Sequence, residues 1–254
     1  MGAVAILLIN PSRLLMAFLQ GYLVQNLKCY GDSRNKGFCI HCGGPNETDD
    51  HLPSKVLLDE PYPENLMVCP SCLTCNSSLS LHEVYLACLL ECVLAGEVDP
   101  SKLLRAKIAK VLAQNESLSE RLRKAKSEGD GGPVWRVEND RVTAVVLKLA
   151  RCHGAYEYNE PRLRNPDYMS IKPLVTMRDG ERGAFEDCAT DFVMGLPEVG
   201  SRAMQRLLVV GSDVYQEGWL VVQDGNYRFR VSQEEGLIVK IVLRECLACH
   251  VVWH

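Results

Sequence analysis

Residues 38–55 read FCIHCGGPNETDDHLPSK. Cys39 and Cys42 stand three apart, and an acid and an imidazole, Asp50 and His51, follow side by side. Thiolates are soft ligands that select zinc, whereas a carboxylate and an imidazole serve hard cations and proton transfer. The stretch is half of a metal site, half of an active site, or both. A second half lies downstream in NLMVCPSCLTCN (65–76), where Cys72 and Cys75 repeat the C-x-x-C spacing and Asn76 follows at once. Two such pairs about thirty residues apart suit one tetrahedral Zn²⁺. Cys69 and Cys72 form an equally legal pair. Cys72/Cys75 is preferred because it leads straight into a helix start, leaving Cys69 as a spectator on the preceding strand.

The order C-x-x-C, Asp-His-x-Pro, Asn-Leu, C-x-x-C-Asn, carried by DHLPSK and ENLMVCPSCLTCNSSLS, resembles the HNH endonucleases, the zinc-supported form of the ββα-metal nuclease fold. The resemblance spans residues 36–92, about a quarter of the chain. It implies an α+β fold: a ββα-metal module with a structural zinc, flanked by helices and followed by a small antiparallel sheet. It also implies roles. His51 matches the general base, and Asp50 a ligand of the catalytic divalent ion. Asn65 matches the middle residue, which orients the histidine-bearing loop. Asn76 falls where many members have a final metal-binding His, so the letters here are His-Asn-Asn. His82 and Glu83 lie further along the helix; Glu83 reads as a helix cap and His82 as an exposed residue.

Phosphodiester hydrolysis explains why such residues belong together. A near-neutral imidazole can take a proton from water. A hard cation on carboxylate and amide oxygens, Mg²⁺ or Mn²⁺, can bind a phosphate oxygen and the leaving 3′ oxygen. Two different metals are therefore expected, the zinc being structural. Adjacent strand residues point to opposite faces, so joint action of Asp50 and His51 needs a bend, which Pro53 is placed to encourage. Lys55 is a candidate contact to the scissile phosphate; a solvent-facing lysine is the competing reading.

The function these residues point to is a metal-dependent endonuclease acting on nucleic acid, with DNA the expected partner. The alternative is a non-catalytic zinc module of the same fold that binds nucleic acid or a partner protein. A plain zinc-ribbon scaffold supporting another activity comes third. Family context allows phage packaging, mobile-element transfer, restriction or other antiviral defence. Cutting both strands with one site per chain would call for a homodimer.

The whole-chain properties set bounds. The chain has 254 residues, 47% hydrophobic, with a net charge of −4, so any nucleic-acid contact must come from a local patch. The twelve cysteines cluster unevenly, which favours metal over a disulfide framework. The apolar run 3–9 is too short to cross a bilayer and lacks a basic flank, so no membrane association and a cytoplasmic setting are expected. Four regions are read: a helical N-terminal segment (1–35, its helix over 12–27), the zinc module (36–95), a helical region (96–165) and an α+β C-terminal region (166–254).

Within these, the spacing predicts a helix over 82–94, with Ser80 and Glu83 as its capping box and Gly96 as its stop. Asp99-Pro100-Ser101 opens a helical, basic stretch over 101–126, which includes Arg121, Arg123 and Lys124. That stretch is either a solvated helix face or a track for phosphates. SEGDGGP (127–133) reads as a turn or linker, and 141–156 as a helix. A helix near 203–210 is followed by alternating strands, with a hairpin turn at Asp224-Gly225. Arg228 and Arg230 share a strand face that could meet DNA phosphates, a plain exposed face being the preferred reading. Cys246, Cys249, His250 and His254 read as a buried strand rather than a metal site.

Overall fold

A computed structural model describes residues 33–63, 66–129, 132–187, 201–210, 216–233 and 236–254. The N-terminal helix expected over 12–27 lies outside these, as does Asn65. The fold is α+β. Strands β1 (Thr48–Leu52) and β2 (Met67–Ser71) form an antiparallel hairpin, and β2 runs into the long helix α1 (Leu73–Ala95). Helix α1 starts earlier than the spacing predicts. Its N-cap is Cys72, whose sulfur accepts from the Cys75 N–H. Glu83 therefore sits mid-helix and caps nothing. The stop at Gly96 holds: its left-handed backbone, at φ 66°, returns N–H bonds to the last turn.

The basic stretch breaks into pieces: a 3₁₀ turn (Pro100–Lys102) capped by Asp99, then α2 (Ala106–Gln114) and α3 (Glu116–Ala125). Buried Glu91 of α1 enforces the break by accepting from the N–H groups of Leu104 and Arg105. The expected linker is instead a short ribbon of β3 (Lys126–Gly129) with β4 (Gly132–Trp135). Helix α4 (Asn139–Tyr158) contains the expected 141–156 helix.

Strand β5 (Tyr168–Pro173) and the short α5 (Asp179–Glu186) follow, then α6 (Arg202–Val210). The C-terminal strands β6 (Leu220–Gln223), β7 (Tyr227–Gln233), β8 (Leu237–Leu243) and β9 (Leu247–Trp253) join β5 in one antiparallel sheet, in the order β5-β9-β8-β7-β6. The Asp224-Gly225 turn links β6 to β7.

Helix α4 is the spine. One side of it meets α1 and the hairpin, and another lies on the sheet at β7 and β8. Gly154 permits that approach, because a Cβ there would come within 2.5 Å of a Leu237 methyl. His153 stacks on Phe229, with ring centroids 3.7 Å apart, and its Nε2 lies 2.6 Å from the Tyr227 hydroxyl. One continuous apolar core runs from Ile40 through α1 and α4 to Trp253, so among the described residues the zinc module, the helical region and the C-terminal region share an interior. The far face of the sheet is covered too. Phe185, Trp219 and Leu174 pack there, Arg230 is buried, and Arg228 pairs with Glu186 and Glu245 under Trp219. The expectation of an exposed arginine face there is corrected by this cover. Cys249 is buried in β9, as expected for a strand.

Candidate metal centre and histidine site

Cys39 and Cys42 lie on a tight turn closed by a Gly43 N–H to Cys39 carbonyl bond. Cys72 and Cys75 lie at the start of α1. The four sulfurs fall within 4.8 Å of one another. A tetrahedron with Zn–S bonds of about 2.3 Å spaces its sulfurs about 3.8 Å apart. The Cys42 and Cys72 sulfurs are 3.8 Å apart. Burial opposes a thiolate at Cys39, but backbone N–H groups around it outweigh burial and bring its pKa down to about 6. Cys75 is driven the other way, by burial and by its sulfur neighbours. Four converging thiolates repel one another unless a cation sits among them, so the set is compatible with a structural metal such as zinc.

The choice between cysteine pairs is decided by which way β2 faces. Cys69 points inward, its thiol 3.6 Å from the Cys152 carbonyl, away from the cluster. The metal turn is itself fastened to α4, since Arg151 donates to the His41 carbonyl at 3.0 Å.

Asp50 and His51 are parted by strand alternation. Opposite each other on the hairpin, Asp50 and Cys69 form its inner face. Lys148 and Cys152, one turn apart on α4, cover it. The Lys148 ammonium is 2.9 and 2.8 Å from the two Asp50 oxygens and 3.1 Å from the Ser54 hydroxyl, and it also donates to Glu83. Its three protons are thereby used. Burial opposes its charge, but Glu83 and Asp50 outweigh burial and raise its pKa. Burial likewise opposes the Asp50 carboxylate, which His41 and Lys148 hold below its ordinary value.

His41 Nε2 lies 3.7 Å from Asp50. Burial opposes its charge, yet Cys152, Asp50 and Cys39 carry its pKa up to about 9. Burial pushes the Cys152 thiol itself well up, and Asp50 is the carboxylate that faces the His41 ring. The expectation that Asp50 ligates a catalytic ion is corrected accordingly: its oxygens face inward and carry ammonium.

His51 is half-buried on the outer face. Burial first, and the Lys55 charge second, depress its pKa, leaving a neutral ring at pH 7. The carboxylate sharing that face is Asp49, two residues back and exposed. Sequence reading passed over Asp49 because Asp50-His51 matched the motif, although the period-two rule pointed to it.

Asn76 stands half-buried in the first turn of α1. Lys55 is exposed. Of the basic trio, Arg121 is committed to Glu138 and Lys124 lies 3.8 Å from Glu120, while Arg123 is exposed. Among the described residues, no group of three His, Cys, Asp or Glu other than the four cysteines converges as a metal site, and that includes the C-terminal Cys246/Cys249 region. Comparison with protein-family models, curated proteins and solved structures finds no match to this chain.

Proposed function

We propose that the hairpin and α1, held together by zinc at the four cysteines, form a phosphodiester-hydrolysing site of the HNH type that acts on DNA. The observation that carries the reading is His51: a neutral, half-buried imidazole beside Lys55, on the outer face of a hairpin whose following helix is tied to it by the thiolate cluster. In this reading His51 takes a proton from the attacking water, and Lys55 faces the negative phosphate. When bound, Mg²⁺ or Mn²⁺ would offset charge on the phosphate and the leaving oxygen. Asp49, on the histidine's own face, is the carboxylate we assign to it, with Asn76 as a candidate amide ligand. Asp50 shapes the strand from behind.

Magnesium-dependent nicking of supercoiled plasmid tests the reading. His51→Ala should keep the zinc and the fold and lose at least about a hundredfold in rate. Equal cleavage by parent and His51→Ala, in zinc-loaded protein supplied with Mg²⁺ as the only other metal, would sink it.

A non-catalytic module that binds nucleic acid or a partner protein is the second reading. It is favoured by one observation: the motif's carboxylate, Asp50, already carries the Lys148 ammonium. DNA binding by the parent with no metal-dependent cleavage would select it.

A further inference from the structure

The 3₁₀ turn after β1 (Lys55–Leu57), the loop at Tyr62 and helix α2 converge beside the histidine strand. Lys107 of α2 donates to the Tyr62 hydroxyl at 2.6 Å and lies 3.4 Å from the Lys55 carbonyl. Its ammonium is 5.0 Å from the Tyr62 ring centroid, and that of Lys55 is 5.8 Å away. The Tyr62 hydroxyl in turn donates to Glu60 at 2.9 Å. Both lysines are exposed, and among the described residues neither ammonium has a carboxylate within 4 Å. That sets them apart from Lys102, Lys124 and Lys126, each of which has a glutamate partner.

Two like charges brought to one aromatic ring repel each other, and cation–π attraction at an exposed site offsets only about 0.5–1 kcal/mol each. A phosphate diester between them would relieve that repulsion. Lys55 also sits near enough to His51 for its charge to be felt there. Lys110, one turn beyond Lys107 on the same helix, is exposed and adds a further positive charge to that helix.

We propose that Lys55 and Lys107, ordered by Tyr62, clamp a backbone phosphate of the nucleic-acid strand that lies beside His51. The placement next to a reacting phosphate rests on the nuclease reading; the clamp itself is a binding property and can be measured without cleavage.

The experiment is fluorescence anisotropy of a labelled DNA oligonucleotide, single-stranded and duplex, against the zinc-loaded full chain with no Mg²⁺ or Mn²⁺ added, over a salt series. Zinc content and circular dichroism should be unchanged in every variant. Lys55→Gln/Lys107→Gln should weaken binding about tenfold or more and flatten the log–log salt slope, by about 0.7 for the single strand and about 0.9 for the duplex, as one phosphate contact is lost. Tyr62→Leu should weaken binding with a smaller slope change, because both charges remain but are no longer ordered. Lys102→Gln, whose ammonium is paired with Glu97, should leave the slope in place. A parent slope in the double variant, an equal loss in Lys102→Gln, or no DNA binding by the parent overturns the clamp. Flattened binding in a protein that never nicks DNA upholds the clamp and defeats the nuclease reading instead.

Discussion

Lys148 and Asp50 are 98 positions apart in the chain, yet the ammonium of one lies 2.9 and 2.8 Å from the two carboxylate oxygens of the other. The pair joins the back of the hairpin to α4, and Glu83 brings α1 into the same contact. Such a buried group is costly to break from one side, because the partner charges remain behind.

Lys148→Met should therefore destabilise the protein by about 3–5 kcal/mol in urea unfolding, and Asp50→Asn placed on top should recover part of that loss. The pH dependence has a definite sign. The folded-state pKa of Lys148 is raised, so its stabilising contribution is full below the ordinary lysine value of 10.5 and is lost as pH climbs through the higher folded value. Parent stability should fall on that alkaline limb, and Lys148→Met should lack that component. Matching alkaline limbs would show that the ammonium contributes nothing through Asp50 and Glu83.

For the thiolate cluster, metal analysis of the purified protein should find one zinc per chain. Cys42→Ser and Cys72→Ser should lose it, and a chelator should loosen the hairpin from α1. Cys69→Ser should keep it, since that thiol faces Cys152. Zinc retained in Cys75→Ser but absent from Cys69→Ser would reverse the assignment.

The histidine makes a kinetic prediction. His51 has a depressed pKa, so a reaction using it as a base should rise below its ordinary value of 6.5 and be flat by pH 7. Replacing Lys55 by Gln removes a depressing charge and should shift the rise to higher pH. A pH–rate profile that keeps its position in Lys55→Gln would separate the two residues.

Two neighbouring aspartates should behave differently. Asp50→Asn should lower stability, because Lys148 and His41 lose their counter-charge. Asp49→Asn, on the exposed side, should leave stability within about 0.5 kcal/mol but raise the Mg²⁺ or Mn²⁺ needed for cleavage. Unfolding curves together with metal titrations of activity distinguish them. An unchanged metal requirement in Asp49→Asn would remove that residue from the site.

What could be read without coordinates is what local chemistry encodes. Each C-x-x-C forces its own tight bend, Gly96 and Asp224-Gly225 mark their own turns, and the apolar spacing of 141–156 is enough to specify α4. The α+β class and the small antiparallel sheet follow from such signals. What only the tertiary structure decided are the meetings of distant segments. Cys69 and Cys75 are equivalent as letters, each three residues from Cys72, and the direction β2 faces once α4 covers it chooses between them. Glu83 has the spacing of a cap but begins no helix, because the helix starts at Leu73 with Cys72 as its cap; its carboxylate goes instead to a lysine on another helix. Arg228 reads as exposed until α5 and Trp219 lie over it. The Asp50-His51 pair reads as one unit, yet a strand that alternates through both sends the acid to Lys148 and leaves the histidine outside with Asp49. Periodicity specifies a face for each residue, but it carries no information about which face another part of the chain will cover.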